Sequence, residues 1–210
     1  MAKLYFRYGT VDAAKTMNLL AVAYNYRKQG KRVFTIAVVP SLKTTNFDDA
    51  CFLSSRSGLQ EQADLLLESS DGNFPVFAAM NITDGQKFKP FDCILVDEAQ
   101  FLPVQIIDKL RSLTLNPGIP VICYGLRTDS NTRLFPGSMR LLEVADSIEE
   151  IKVTCTFCNK KAIYSMRFDT EGKPTKSIEP AHAEKSAYKP CCASCYSKKF
   201  DIADTDMQES

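Results

Sequence analysis

The sequence predicts an α/β fold built on a mainly parallel sheet, with a small second lobe, and three observations predict it. Apolar runs of strand length, RVFTIAVV (32–39), CILVD (93–97) and IPVICYGL (119–126), suit strands covered on both faces. They alternate with segments of helical period, the order that crossover connections require. Five of the 8 cysteines lie beyond residue 150, where the apolar runs stop. A chain of 210 residues with 45% hydrophobic content fills one full-sized core plus a small module. The expected division is a nucleotide-binding α/β domain over 1–150, a small cysteine-rich lobe over 151–199, and a disordered acidic tail over 200–210.

The elements follow in order. LYFRY (4–8) reads as a first strand, and Lys15 to Gln29 carries Leu19, Leu20, Val22, Ala23 and Tyr26 at helical spacing until Gly30. RVFTIAVV is the next strand and Pro40 stops it. Residues 40–55 have no period and read as a mobile loop; in SSRSGLQEQADLLL (54–67) the second half reads as a helix. FPVFAAM (74–80) and FDCILVDEAQF (91–101) are further strands, PVQIIDKLRSL (103–113) a helix with Pro103 in its first turn, and IPVICYGL a buried strand. In the lobe, VTCTFC (153–158) and KAIYSMRF (161–168), with a turn at DTEGKP (169–174), suggest an antiparallel hairpin before a polar stretch over 176–189.

Three clusters carry chemistry. GTVDAAKT (9–16), between the first strand and first helix, is one residue short of the phosphate-binding pattern G-x-x-x-x-G-K-[ST], because Ala14 stands where the second glycine belongs. Loop N–H groups of such a motif wrap phosphates, and Gly9, Lys15 and Thr16 keep the glycine, ammonium and hydroxyl roles available. Asp12 opposes this: a carboxylate roughly 4 Å from a phosphate charge repels it by about 1–4 kcal/mol. Its alternative role is a helix N-cap. CILVDEAQF ends an apolar strand in Asp97 and Glu98, the place where one acid helps hold Mg²⁺ and the next takes a proton; the alternative is an ordinary polar strand end.

The third cluster is metal-like. Cys155 and Cys158 form one C-x-x-C knuckle and Cys192 and Cys195 a second, a set that suits tetrahedral structural Zn²⁺ at about 2.3 Å, with Cys191 as the alternative to Cys192. Such an ion supplies on the order of 10 kcal/mol to a lobe too small for its own core. The balance of 26 basic and 25 acidic residues gives no global field toward nucleic acid or an anionic membrane, so no direct nucleic-acid binding is expected. No run approaches a membrane span and no leader pattern is present, so a soluble cytoplasmic protein is expected. His182, the single histidine, reads as a solvated loop residue.

LYFRYG (4–9), VDEAQF (96–101), PVICYGLRTD (120–129) and LFPGS (134–138) resemble, in order, the type II thymidine kinase family, over about residues 1–199. The resemblance implies a RecA-like P-loop domain with a zinc lobe, usually a homotetramer, that uses ATP and Mg²⁺ to phosphorylate the 5′-hydroxyl of thymidine or deoxyuridine. It implies Glu98 as general base, Lys15 and Thr16 on the triphosphate and metal, Asp97 as metal partner, and Arg56 near the phosphates. Phe101, Leu126 and Phe135 would line the base pocket, or be plain core, and Tyr188 matches the tyrosine of the loop that closes over the nucleoside. Departures gather at the ligand loops: Val11, Asp12 and Ala14; Lys43 and Thr45 where the family has an acid and an arginine; Ser130 for a phenylalanine; Ala183 and Glu184 for paired glycines. Two alternatives follow from them, a catalytically impaired homologue acting through nucleotide or protein-partner binding, and a kinase for a modified pyrimidine deoxynucleoside.

Overall fold

The protein is described by a computed structural model covering residues 1–40, 52–69, 90–176 and 188–206, with side chains described through residue 200. The chain opens with β1 (Leu4–Tyr8), the loop 9–14, and α1 (Lys15–Lys28), followed by β2 (Val33–Val39), every residue of which is buried. A short antiparallel hairpin, β3 (Phe52–Ser54) and β4 (Gln60–Gln62), precedes β5 (Leu65–Glu68). Next come β6 (Cys93–Asp97), a 3₁₀ turn over Ala99–Phe101, α2 (Val104–Leu115), β7 (Val121–Gly125), α3 (Pro136–Val144) and β8 (Ser147–Glu150). Strands β9 (Tyr164–Arg167) and β10 (Tyr188–Cys191) and helix α4 (Ala193–Asp206) make the lobe.

The sheet runs β5-β2-β6-β7-β1-β8, and every pairing in it is parallel. Strand alternation sorts side chains to two faces. Phe34, Ile36, Val38, Ile94 and Val96 point to the layer holding Ile106, Ile107 and Leu110 of α2 and Leu141 of α3. Val33, Ala37, Cys93 and Leu95 point the other way, onto Leu19, Leu20 and Ala23 of α1. Burial on both faces is why these strands read as unbroken apolar runs. The loop after β1 and the acids after β6 therefore emerge at the same carboxyl edge of the sheet, where ligands of open α/β sheets bind.

Three expectations change. The segment expected to turn helical after Ser54 instead forms β4 and β5. Asp64 accepts from the Thr35 N–H (2.7 Å) and hydroxyl (2.8 Å), and Leu65–Glu68 zips in parallel register onto Ile36–Val39. A short apolar run is ambiguous by period, and here the open edge of β2 decides it. In the lobe, 153–168 forms a Thr154–Lys161 bridge and Phe168 bridges Pro174 across the expected turn, while β9 finds its strand partner in β10 on the far side of the polar stretch, antiparallel to it. Helix α4 runs to Asp206, through residues 200–206 expected to be disordered; nucleation is the costly step, so a helix anchored by the buried Phe200 propagates into a polar segment that would not start one. The expected strand at 74–80 lies outside the described residues. Among the described residues no helix is long and apolar enough to cross a membrane.

Candidate active site and metal centre

The loop between β1 and α1 is compact because its first residue has no side chain: a Cβ on Gly9 would stand 2.7 Å from both the Ala13 Cβ and the Ile151 carbonyl oxygen. Two residues of the loop are left-handed, Asp12 (φ 62°) and Ala14 (φ 54°). Ala14 thus keeps the backbone shape that the motif's glycine supplies, with the strain of a Cβ. It is also the residue that caps α1, which receives no side-chain cap bond. The N-cap role expected as the alternative for Asp12 is therefore not realised; its carboxylate pairs with the Arg56 guanidinium on the β3–β4 turn.

Lys15 is buried at 7% exposure and its Nζ donates to the Thr10 carbonyl at 2.8 Å. Burial pushes its pKa below the usual lysine value, against the opposing pull of Glu98 and Asp97. Thr16 Oγ1 donates to Asp97 Oδ2 at 2.7 Å, and the Glu98 N–H donates to Asp97 Oδ1 at 3.1 Å. Burial, with Glu98 adjacent, pushes Asp97 up to about 7, while Thr16 and Lys15 pull it back. The loop and the end of β6, 81 residues apart in the chain, thus meet at one point.

Glu98 is left-handed (φ 54°), which turns the chain sharply out of β6 into the 3₁₀ turn. Its Oε2 accepts from Gln100 Nε2, and Gln100 Oε1 accepts the Leu126 N–H at 2.9 Å. Gln100 is 1% exposed and fixes the general-base candidate to the exit of β7. Gly125 leaves room for it, since a Cβ there would lie 2.6 Å from Gln100 Oε1. Sequence reasoning missed Gln100, although a polar side chain inside the otherwise apolar AQFL segment was its signal. Phe101 and Phe135 meet edge-to-face at 5.5 Å, beside the same turn, and Leu126 is half-buried at the end of β7. Tyr188 starts β10, opposite Arg167 on β9.

A shallow, solvent-open cleft with room for little more than one water lies where the loop meets the lobe, lined by Gly9, Thr10, Thr128 and Ser165 among others. The lobe reaches the loop directly: the Val11 N–H donates to Ser165 Oγ at 3.1 Å.

In the lobe, the Sγ atoms of Cys155, Cys158, Cys192 and Cys195 all lie within 4.8 Å of one another, and those of Cys158 and Cys192 are 3.6 Å apart. A Zn–S tetrahedron at about 2.3 Å has edges of roughly 3.8 Å, so the donor set fits the ion. Burial alone would raise the Cys155 thiol, but hydrogen bonds, first from the Cys192 and Phe157 backbone, outweigh it and hold Cys155 at about 6. The Cys195 N–H donates to Cys192 Sγ and lowers that thiol too. Cys195 is pushed up to about 12 by burial and by the crowded thiols, which is the proton a divalent ion displaces. Cys191 is fully buried and turned to the Cys192 carbonyl, so Cys192 is the member of the cluster.

The family profile described as thymidine kinase matches residues 2–196. The chain belongs to the thymidine kinase family. A thymidine kinase of Listeria innocua is 38% identical over 200 residues, covering 93% of this chain and 97% of that protein. One from Mesorhizobium japonicum is 34% identical over 206 residues, covering 98% and 96%, and one from Agrobacterium fabrum is 40% identical over 178 residues, covering 82% and 84%. Membership makes this chain a kinase with a nucleoside-directed fold.

Within the thymidine kinase frame, the departures have visible consequences where they are described. Ser130, in place of the family phenylalanine, is half-buried and its carbonyl accepts from Tyr196 Oη at 2.6 Å, so a lobe aromatic braces the turn from behind. Asp129 Oδ1 closes that turn by accepting the N–H groups of Asn131 (2.9 Å) and Arg133 (2.8 Å), which holds Thr132 left-handed at φ 65°. Lys43, Thr45, His182, Ala183 and Glu184 lie outside the described residues.

Proposed function

We propose that this protein transfers the γ-phosphoryl group of ATP to the 5′-hydroxyl of thymidine or deoxyuridine. The observation that carries this reading is the convergence of Lys15 and Thr16 with Asp97, through the 2.7 Å Thr16–Asp97 bond, beside Glu98. The relatives from Listeria innocua and Mesorhizobium japonicum are thymidine kinases, which supports thymidine as the acceptor.

Lys15, bonded to the Thr10 carbonyl at the start of α1, would meet the β- and γ-phosphates. Thr16 and Asp97 offer the hydroxyl and carboxylate oxygens that would hold Mg²⁺, which when bound neutralises charge on the transferring phosphate. Glu98, aimed by Gln100, accepts the proton of the 5′-hydroxyl as its oxygen bonds to γ-phosphorus and the bond to the β–γ bridging oxygen breaks, releasing ADP. Phe101, Phe135 and Leu126 supply apolar walls for the base, and Tyr188 closes the lobe side. Structural Zn²⁺ on the cysteine cluster would tie the Cys155–Cys158 segment before β9 to the end of β10 and the start of α4. In this reading 1–150 binds nucleotide, 151–199 covers the nucleoside, and the protein works in the cytoplasm as a homo-oligomer, a tetramer by family resemblance.

The strain at Ala14 favours a second reading, a homologue that binds nucleotide weakly without turnover. Labelled-phosphate transfer from MgATP, assayed over a panel of pyrimidine deoxynucleosides, separates the two. Transfer to thymidine is expected, and Glu98→Gln should lower kcat by about 10²–10⁴ with MgATP binding retained. No transfer to any nucleoside at millimolar ATP overturns the kinase reading.

A further inference from the structure

Leu126 follows β7 directly, so its backbone groups lie beyond the strand's ladder and need other partners. Side chains from two other elements supply them. Gln100 Oε1 accepts the Leu126 N–H at 2.9 Å, and the Ser138 hydroxyl donates to the Leu126 carbonyl at 2.5 Å. Ser138 lies in the first turn of α3 and is fully buried. Two positions without a side chain let these elements close up. A Cβ on Gly137 would stand 2.7 Å from the Gln100 carbonyl oxygen and 2.8 Å from those of Ala99 and Leu102, and one on Gly125 would stand 2.6 Å from Gln100 Oε1. The 3₁₀ turn, the exit of β7 and the start of α3 therefore form one close-packed joint. A polar thread runs through it from Ser138 by way of Leu126 and Gln100 to Glu98, whose Oε2 accepts from Gln100 Nε2.

Each member of the joint also carries one of the apolar side chains that the proposed function sets against the base: Phe101 in the 3₁₀ turn, Leu126 after β7, and Phe135 just before α3. Phe101 and Phe135 meet directly, edge-to-face at 5.5 Å. A base pressed between these walls bears on the same three segments that carry the thread. We propose that Ser138 is a positioning residue for phosphoryl transfer: by holding the Leu126 backbone it fixes Gln100, and through Gln100 it ties the aim of Glu98 to the walls around the base. This inference rests on the proposed function, in which Glu98 takes the proton of the 5′-hydroxyl. A general base works only within hydrogen-bond reach of that proton, and a misplacement of about 1 Å can cost on the order of 10²-fold in rate.

The test is steady-state transfer from MgATP to thymidine by the full chain, with MgATP affinity read by calorimetry. Ser138→Ala should lower kcat about three- to tenfold, and Gln100→Met, which keeps the length but neither hydrogen bond, about ten- to a hundredfold. MgATP affinity should stay within about twofold in both, because Lys15, Thr16 and Asp97 are held by other contacts. In the Gln100→Met background Ser138→Ala should cost nothing further, since the thread is already cut. Ser138→Cys, close in shape and still a weak donor, should lose less kcat than Ser138→Ala, and it replaces the alanine variant in the cycle if that one fails to fold. A merely structural Ser138 would lower kcat and MgATP affinity together and would add to Gln100→Met. Wild-type kcat in the Ser138 variants, a matching loss of MgATP affinity, or an additive double variant overturns the proposal alone. A wild-type protein that transfers phosphate to no nucleoside overturns the proposed function and this inference with it.

Discussion

Ala14 holds a left-handed backbone at φ 54° at the entrance to α1, and its methyl group makes that conformation cost about 1–2 kcal/mol. Replacing it by glycine removes this cost but returns about 0.4–1 kcal/mol through the greater freedom of the unfolded chain. Ala14→Gly should therefore stabilise the protein by about 0.5–1 kcal/mol, a rise of about 1–4 °C in Tm, and should lower KM for ATP. A lower Tm in a thermal melt would show that the loop is not strained there. The missing glycine was legible in the sequence, since a motif states the residue each position needs. The left-handed turns at Asp12, Glu98 and Thr132 were not, because each comes with a side-chain contact that no motif states: Asp12 meets the distant Arg56, Glu98 is tied by Gln100 two residues on, and Thr132 is held by the turn that Asp129 closes.

Legibility among the elements followed burial. β2, β6 and β7 are buried at every position and announced themselves as apolar runs, whereas the edge strands β5 and β8 are short and half-exposed, so their composition resembles loop or helix. β8 is instead secured by Asp146 just before it, which accepts the Leu4 N–H at 2.8 Å and pairs with Arg111 of α2. The Arg111 guanidinium, and then the Leu4 N–H, hold this carboxyl below its usual value of 3.8. A depressed folded-state pKa means that the stabilisation is present above the unfolded value and is lost as pH falls through the folded one. Asp146→Asn, which keeps an acceptor for Leu4 but removes the charge, should cost on the order of 0.5–1 kcal/mol at pH 7. In urea titrations that difference should close as pH drops below 3.8; a gap independent of pH would assign the effect to packing instead.

Across the whole molecule, the lobe is the part with least core and most leverage. Its buried cluster is small, Met166, Phe168 and Phe200 around the cysteines, and its sheet has two strands, an arrangement that is marginal alone in water. The cysteine spacing made the four-thiol cluster legible because its pairs are local in sequence; the lobe's docking was not, because it joins distant residues. Ser165 meets the Val11 N–H across 154 positions, Arg127 Nη2 donates to the Ile163 carbonyl at 3.3 Å, and Tyr196 reaches the Ser130 carbonyl. These contacts tie the cysteine-rich lobe to the loop after β1 and to the turn after β7, so under the proposed function loss of a bound zinc should propagate to the nucleoside side of the site. About one zinc per chain is expected by metal analysis, for a four-thiolate site. Chelation, or Cys155→Ser, should expose the amides of β9, β10 and the start of α4 to hydrogen exchange while those of β2, β6 and β7 stay protected. Transfer to thymidine should fall sharply, and MgATP binding should persist, because Lys15, Thr16 and Asp97 are held by the main sheet and α1 rather than by the lobe. A metal-free protein whose β9 and β10 amides remained protected would mean that the hydrophobic cluster suffices and that the cysteines are not what holds the lobe together.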